Sequence, residues 1–476
     1  MRVLIINPPW PGKGYGTRSQ NRIIKHRSDK FLQYPLFLAY SASQLQKEGH
    51  SVSYIDSVIQ DYDLPRTLSE AKQAQPDVIF METTTPSIEA DYQNLTALKN
   101  ATGARIVVGG PHATYFHRAV IEECPAIDVA IRHEFDTKIA RVAANLHNLA
   151  DVAGITYRDG ASIVDNGDGE LTADLDMLPF PDRETIPWKW YLEAWYSRQP
   201  FMNIMTARGC PYQCSFCLWP QNMYGHKQRF RSIDNVISEI RYLVDTYGVK
   251  ELNVDDGTFT TNRTRVIEFC RRLRQEKINL IWTCNGRVDN VDDEMLSEMK
   301  RSGCKMIRLG IESGSQEVLD KIKKGLTLKQ IEDGVRMVKR HRIQTIGGFM
   351  FGFPYDSRKT IEETIRFAKK VSPDQVQFSI AMCYPGTSLY EYAKANDLLL
   401  ADSFREFDMT YGPVVKTLDM ERHELKHILA RAYREYYFRP AYVIQTLFNM
   451  TDMDEINRVL RSMQSLVKTI RLHQSC

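Results

Sequence analysis

The chain of 476 residues carries 62 basic against 59 acidic side chains, a formal net charge of +3. That balance excludes a dedicated nucleic-acid binder, whose phosphate contacts need a basic excess, and 43% hydrophobic with 25% charged residues excludes a disordered or fibrous chain. No run of about 18 apolar residues occurs, so no bilayer-spanning helix is expected. The opening Met1-Arg2-Val3-Leu4-Ile5-Ile6-Asn7-Pro8-Pro9 reads as a buried strand and not as a secretion signal. Nine cysteines are too sparse, and odd in number, for a disulfide scaffold. The expected location is cytoplasmic and thiol-reducing.

Over residues 1–150, short β-branched runs alternate with helical stretches. Val3–Ile6, Ser51–Ile55, Asp77–Met81, Arg105–Val108 and Asp128–Ile131 read as strands, with helices at Pro35–Glu48, around Thr67–Gln75 and at Ile88–Asn100. Alternation of this length implies parallel pairing in a doubly wound, Rossmann-like sheet. Ligands of such sheets bind at the carboxyl ends of strands. Here those ends carry Asn7-Pro8-Pro9, Thr83-Thr84-Thr85 and Gly109-Gly110-Pro111-His112, small and glycine-rich enough for close approach of a ligand. Residues 151–200 are rich in turn chemistry, from Gly160 through Asp165-Asn166-Gly167-Asp168-Gly169 to Leu178-Pro179-Phe180-Pro181, and read as a linker.

A second series fills 201–395. Strands are expected at Met202–Thr206, Glu251–Asp255, Asn279–Thr283, Met306–Gly310, Thr345–Phe351 and Gln375–Ile380. Helices are expected between them, at Ile233–Thr246, Thr264–Glu276, Asp292–Arg301, Leu328–His341 and Thr360–Lys370. Six such units predict a partial (β/α)6 TIM-like barrel, with functional residues at the carboxyl ends of its strands. In the region 396–476, Leu425, Leu429, Ala432 and Tyr436 recur at helical spacing near Arg431, Arg434 and Arg439. This predicts a helical cap; a peripheral membrane contact through the C-terminal helices is the competing reading.

The strongest signal is Arg208-Gly209-Cys210-Pro211-Tyr212-Gln213-Cys214-Ser215-Phe216-Cys217, directly after the first barrel strand. Soft thiolates select zinc, copper(I) or iron–sulfur clusters. Three cysteines in one short loop suit one face of a cuboidal cluster. Since [4Fe–4S] centres ordinarily take four cysteines, a set of three leaves one iron open to an exogenous ligand. Zinc held by the three thiols and His226 is the competing reading, in which the chain is a non-catalytic zinc or iron–sulfur binding module. The remaining cysteines, Cys124, Cys270, Cys284, Cys304, Cys383 and Cys476, read as structural.

The loop and the strand-end motifs after it resemble the radical S-adenosylmethionine (SAM) superfamily over about residues 200–395. The resemblance implies a [4Fe–4S] cluster on Cys210, Cys214 and Cys217. Its open iron chelates SAM, and reductive cleavage then yields a 5′-deoxyadenosyl radical. It further implies that Asp255, Asp256 and Gly257 stand in the place of the family's glycine-glycine-glutamate motif, which binds the methionine ammonium. Arg287 pairs with the SAM carboxylate or else forms a structural ion pair. Glu312, with Ser313 beside it, accepts from the ribose hydroxyls; Gly348 lies on the strand near adenine, and Phe216 packs the adenine ring. Tyr384 is the candidate substrate contact. An external one-electron reductant of the flavodoxin or ferredoxin type is implied, and no nucleic-acid partner.

The leading sheet resembles the cobalamin-binding domain of one branch of that superfamily, through Asn7-Pro8-Pro9, Val108-Gly109-Gly110-Pro111-His112 and Leu175-Asp176-Met177-Leu178-Pro179-Phe180-Pro181. Asn7, Pro8, Thr83, Thr85, Gly109, Gly110 and His112 are the implied cobalamin residues. The D-x-H-x-x-G signature is absent, and His112 is offered as a cobalt ligand against its reading as a loop residue. The branch includes methyltransferases and ring-forming enzymes of pigment, antibiotic and hopanoid biosynthesis. Methyl transfer or ring-forming rearrangement of a small-molecule, lipid or other natural-product substrate is the resulting expectation.

Overall fold

The computed structural model describes residues 1–12, 14–16, 18, 30, 32–193, 196–409, 411–440, 442–444, 456–457 and 459; Cys476 and most of the tail beyond residue 444 lie outside them. Strands β1 (Arg2–Asn7), β2 (Ser51–Asp56), β3 (Val78–Glu82), β4 (Arg105–Gly109) and β5 (Val129–Ile131) pair in parallel in the spatial order β2-β1-β3-β4-β5. Val3 and Ile5 face one apolar cluster, Leu4 and Ile6 the other. Burial on both faces is why these strands read as continuous apolar runs. The order reverses between β1 and β3, the point where such sheets take ligands, and Asn7 and Thr83 stand at their ends.

The expected linker begins differently. Its first part is a hairpin, β6 (Ile155–Asp159) and β7 (Ser162–Asp165), which extends the first sheet antiparallel to β5. Asp159 pairs with Ser162 across a two-residue turn, and Gly160 there has φ 57°. A positive φ at that position is what a tight hairpin turn needs.

The second sheet is the expected six-stranded parallel array: β8 (Phe201–Ile204), then, after the short antiparallel pair β9 (Ala207–Arg208) and β10 (Arg229–Phe230), β11 (Glu251–Val254), β12 (Ile281–Gly286), β13 (Cys304–Glu312), β14 (Gln344–Phe351) and β15 (Gln375–Ile380). Its order is β8-β11-β12-β13-β14-β15. Helices return the chain between strands, and their starts are fixed by side-chain caps. Ser232, Asn262, Asp292, Thr327 and Ser357 accept the backbone N–H of Asn235, Arg265, Met295, Gln330 and Thr360 respectively. Along β13–β15 one face is buried under helices. Arg308, Gly310, Ile346, Gly348, Met350 and Gln377 on the other are half-exposed, with Gly310, Gly348 and Gln377 in one row.

The edge strand β15 is closed by the helix Arg422–Tyr437. Tyr433 Oη accepts from Phe378 N–H (3.1 Å) and donates to Phe378 C=O (2.7 Å); Tyr437 Oη does the same at Val376 (3.0 and 2.7 Å). The pitch fits, because residues four apart on a helix are separated by about 6 Å and residues two apart on a strand by about 6.6 Å. Leu425, Leu429, Ala432 and Tyr436 are all buried. The expected apolar stripe therefore caps the barrel and on the described helix is not available to lipid; most of the tail to which the membrane reading also applied lies outside the described residues. Arg431 pairs with Glu362, and Arg439 stacks 4.1 Å over Tyr436. Tyr433→Phe strips partners from a buried strand N–H and C=O, so a loss of about 1–3 kcal/mol is expected in denaturant unfolding, with faster amide exchange at Phe378.

Candidate active site

The cysteine loop leaves β9 through Gly209, whose φ is 85° and where a Cβ would stand 2.5 Å from Lys227 O. No other residue fits there without moving backbone. Beyond it, backbone bonds fold the loop: Cys210 N–H to Gly225 O (3.3 Å), Ser215 N–H to Ile322 O (2.9 Å) and Cys217 N–H to Cys214 O (3.2 Å). Gln221 Nε2 lies within 2.9–3.2 Å of the carbonyls of Cys214, Ser215 and Cys217, which directs all three toward one donor. Cys214 is buried, and Cys210 and Cys217 are half-buried. Among the described residues no three His, Cys, Asp or Glu side chains converge closely enough to hold a metal ion, this trio included.

The Cys214 thiol is pushed up, by burial first, with Glu312 and Cys210 adding to the rise and Lys324 and Arg287 opposing it. Lys324 is buried, and its Nζ donates to Glu312 Oε1 at 2.8 Å. Desolvation works against that ammonium, but Glu312 and Cys214 hold it above the usual lysine value. Sequence spacing gives no sign of Lys324. Glu312 has φ 69° at a register shift in β13, strained backbone of the kind that persists where surrounding contacts enforce it. A Cβ at Gly310 would meet Glu312 Oε1 at 2.5 Å and Lys324 Nζ at 3.0 Å, so glycine makes room for this pair.

Arg287 takes the structural pairing that the sequence left open. Its guanidinium bonds both oxygens of Asp289 at 3.0 Å, donates to Lys324 O at 3.0 Å and lies 3.7 Å over the ring of Tyr212 in the cysteine loop. Asp256 is buried and accepts from Thr206 N–H (2.6 Å), Thr206 Oγ1 (2.5 Å) and Ala207 N–H (3.0 Å), fixing the turn that feeds the loop. Burial raises its carboxyl, and these donors oppose the rise. Asp255, half-buried, accepts from Gln33 Nε2 at 2.9 Å. A Cβ on Gly257 would meet Gly209 O at 3.2 Å and Cys210 Cβ at 3.4 Å, so this glycine backs directly onto the loop. Cys210 Sγ lies 3.7 Å from Thr258 Oγ1.

Gly348 leaves its side of the sheet open, since a Cβ there would meet nothing nearer than 3.7 Å. Phe216 packs against Phe353 with centroids 5.6 Å apart. Ser313 is buried, its Oγ 3.1 Å from Thr364 Oγ1 and accepting from Ser315 N–H. Tyr384 is buried after β15.

At the first sheet, Asn7 Nδ2 donates to Asp56 Oδ1 (2.8 Å), and its Oδ1 accepts from Arg18 Nη1 (2.6 Å), which also reaches Pro8 O (2.8 Å). Thr83 Oγ1 donates to Gly109 O. Gly110 has φ 101°, and a Cβ there would stand 2.6 Å from Thr83 O; one on Gly109 would meet Phe135 Cβ at 2.6 Å. Thr83, Gly109 and Gly110 thus form a tight backbone cradle. His112 lies within it as a packing residue, 3.3 Å from Thr85 Oγ1 and between the rings of Phe116 and Phe404 (4.8 and 4.9 Å). Burial pushes it down to about 3, so it stays neutral at working pH.

Residues 204–368 match the radical SAM superfamily and residues 27–143 the B12 binding domain. The chain is 34% identical over 418 residues to an uncharacterized methyltransferase of Pyrococcus horikoshii, covering 87% of this chain and 90% of that protein. The chain belongs to the radical SAM superfamily, in the branch with an N-terminal cobalamin-binding domain. It is therefore an enzyme, and the competing reading as a metal-holding module falls. It is also 31% identical to the anaerobic magnesium-protoporphyrin IX monomethyl ester cyclase of Cereibacter sphaeroides, over 86% of this chain and 67% of the cyclase. In fold it is similar to the radical SAM methyltransferase TsrM of Kitasatospora setae, solved with cobalamin and a [4Fe–4S] cluster (TM-score 0.72, 16% identity, 99% of both chains). It is equally similar to the cobalamin-dependent enzyme OxsB (TM-score 0.72, 16% identity, 99% of this chain and 71% of that one).

In this radical SAM enzyme a buried charge network joins the two matched segments. Arg208, two residues before Cys210, reaches Asp136 through Nη1 (3.2 Å) and Nη2 (2.5 Å) and lies 3.4 Å from Glu134. Arg229 pairs with both oxygens of Glu134 (3.0 and 2.8 Å). Two cations from the radical SAM segment thus balance two anions from the B12-binding segment. No described helix is long and apolar enough to cross a membrane.

Proposed function

We propose that this enzyme cleaves SAM reductively at a [4Fe–4S] cluster on Cys210, Cys214 and Cys217 and, with cobalamin at the first sheet, methylates a lipid or other natural-product substrate. The observation that carries this reading is the thiol loop itself, tied by Gln221 and set beside two buried cations. The donor set fits the group, because three thiolates fill three cluster positions and leave one iron open. When bound, the cluster would supply the electron that splits the sulfonium, and cobalamin the methyl carrier.

The protein's own residues bind and orient. Asp255 accepts from the ammonium of SAM, a charge-assisted bond. Lys324 and Arg287 set a positive potential for its carboxylate, and Glu312 accepts from the ribose hydroxyls. Gly348 leaves the sheet face clear for adenine, which Phe216 packs. Asp256 holds the turn at the loop's base. Tyr384 meets the substrate, and a flavodoxin- or ferredoxin-type carrier delivers electrons.

Ring closure is the second reading, favoured by 31% identity to the magnesium-protoporphyrin cyclase. Anaerobic reconstitution should yield about four iron and four sulfide per chain, a corrin absorbance on adding cobalamin, and 5′-deoxyadenosine on reduction with SAM. Zinc in place of iron, with no deoxyadenosine, would sink the proposal. Product mass separates the two readings, because methylation adds one CH2 unit whereas cyclisation removes hydrogen.

A further inference from the structure

Gln33 lies within the matched B12-binding segment, half-buried just before the helix Leu36–Lys47. Its amide crosses to the other domain, where Nε2 donates to Asp255 Oδ2 at 2.9 Å. We propose that Gln33 is a positioning residue for SAM, through which the cobalamin-side domain orients the carboxylate that receives the ammonium. This rests on the assignment of Asp255 above.

The chemistry of the pair suits that task. A neutral amide donor fixes one acceptor direction of Asp255 without itself adding positive charge beside the carboxylate. The backbone at Gln33 is also held firmly. The neighbouring Tyr34 hydroxyl donates to Asp182 O (2.6 Å) and lies 3.1 Å from Ile186 O, and the Arg183 guanidinium lies 4.4 Å over its ring. Tyr34 packs edge-on against Tyr191 at 5.5 Å. Tyr191 Oη donates to Asp56 Oδ2 at 2.7 Å, and Asp56 Oδ1 accepts from Asn7 Nδ2. Unbroken contacts thus lead from the end of β1, where cobalamin residues are expected, to the end of β11, where the ammonium is bound.

The test is equilibrium dialysis of radiolabelled SAM against the full-length chain loaded with cluster and cobalamin, as wild type, Gln33→Leu, Asp255→Asn and the double variant. Gln33→Leu should weaken SAM about tenfold while iron content and corrin absorbance stay at wild-type levels; Gln33→Ala repeats the measurement with a smaller side chain. In the double variant, removing Gln33 should add nothing to the loss from Asp255→Asn. Wild-type affinity in both Gln33 variants, or fully additive losses, would overturn the inference while leaving the cluster reading intact. Normal binding by Asp255→Asn removes the assignment beneath it, and the inference falls too. A wild-type chain without cluster iron, read before SAM is added, marks failure of the cluster reading itself.

Discussion

Cys214→Ala is expected to give a folded chain with no cluster iron and no 5′-deoxyadenosine above background. The chemistry fails because two thiolates cannot hold a cluster that already has one iron without a protein ligand. The fold survives because what shapes the loop does not use sulfur: Ser215 N–H bonds Ile322 O, Gln221 bonds three loop carbonyls, and Asp256 fixes the preceding turn. Removing one buried atom costs about 1 kcal/mol, comparable to deleting a methyl group. The cations beside Cys214 keep their own anionic partners, Glu312 for Lys324 and Asp289 for Arg287. Iron and sulfide analysis, circular dichroism and chromatography of the SAM reaction check the three parts separately. Retained iron would remove Cys214 from the ligand set, and a collapsed spectrum would show that the loop carries the fold.

Arg208→Met is expected to damage stability more than any change on the loop. The guanidinium is almost fully buried among Asp136, Glu134 and the rings of Phe37, Tyr40 and Tyr224. Methionine fills much of that space but leaves Asp136 charged and unpaired where water does not reach. Breaking one side of a buried ion pair in this way costs about 3–5 kcal/mol, to be seen as a lower denaturation midpoint. Arg208→Met with Asp136→Leu should recover most of the loss, because an apolar pair of similar volume carries no desolvation penalty. Recovery of the fold need not restore catalysis, since the replaced bonds also set the direction in which the chain enters the cysteine loop. A single variant as stable as wild type would mean that water reaches the pair.

The sequence was most legible where one short stretch carried its own chemistry. The three cysteines and the parallel strand series are of that kind, since period and spacing are local properties. The hairpin Ile155–Asp165 was missed: its two-residue turn is Gly160-Ala161, and the density of other turn residues around it pointed to a linker instead. Asp255 and Asp256 look equivalent in sequence. Successive residues at a strand end point to opposite sides, so one is half-exposed beside Gln33 while the other is buried against Thr206 and Ala207. Lys324, Gln33 and the Arg208–Asp136 pair carried no signal, because each acquires its role from a partner far away in the chain. Arg287 illustrates the same limit, for nothing near it reveals that its guanidinium lies flat on Tyr212.

The two tyrosine hydroxyls that clasp Val376 and Phe378 have a consequence for the enzyme as a population of molecules. A parallel sheet that stops at six strands has a rim of bare amides and carbonyls, the kind of template on which identical copies zip together into filaments. Here that rim is blunted by side chains of the same polypeptide. The β15 rim therefore needs no seventh strand to keep a second copy from pairing with it.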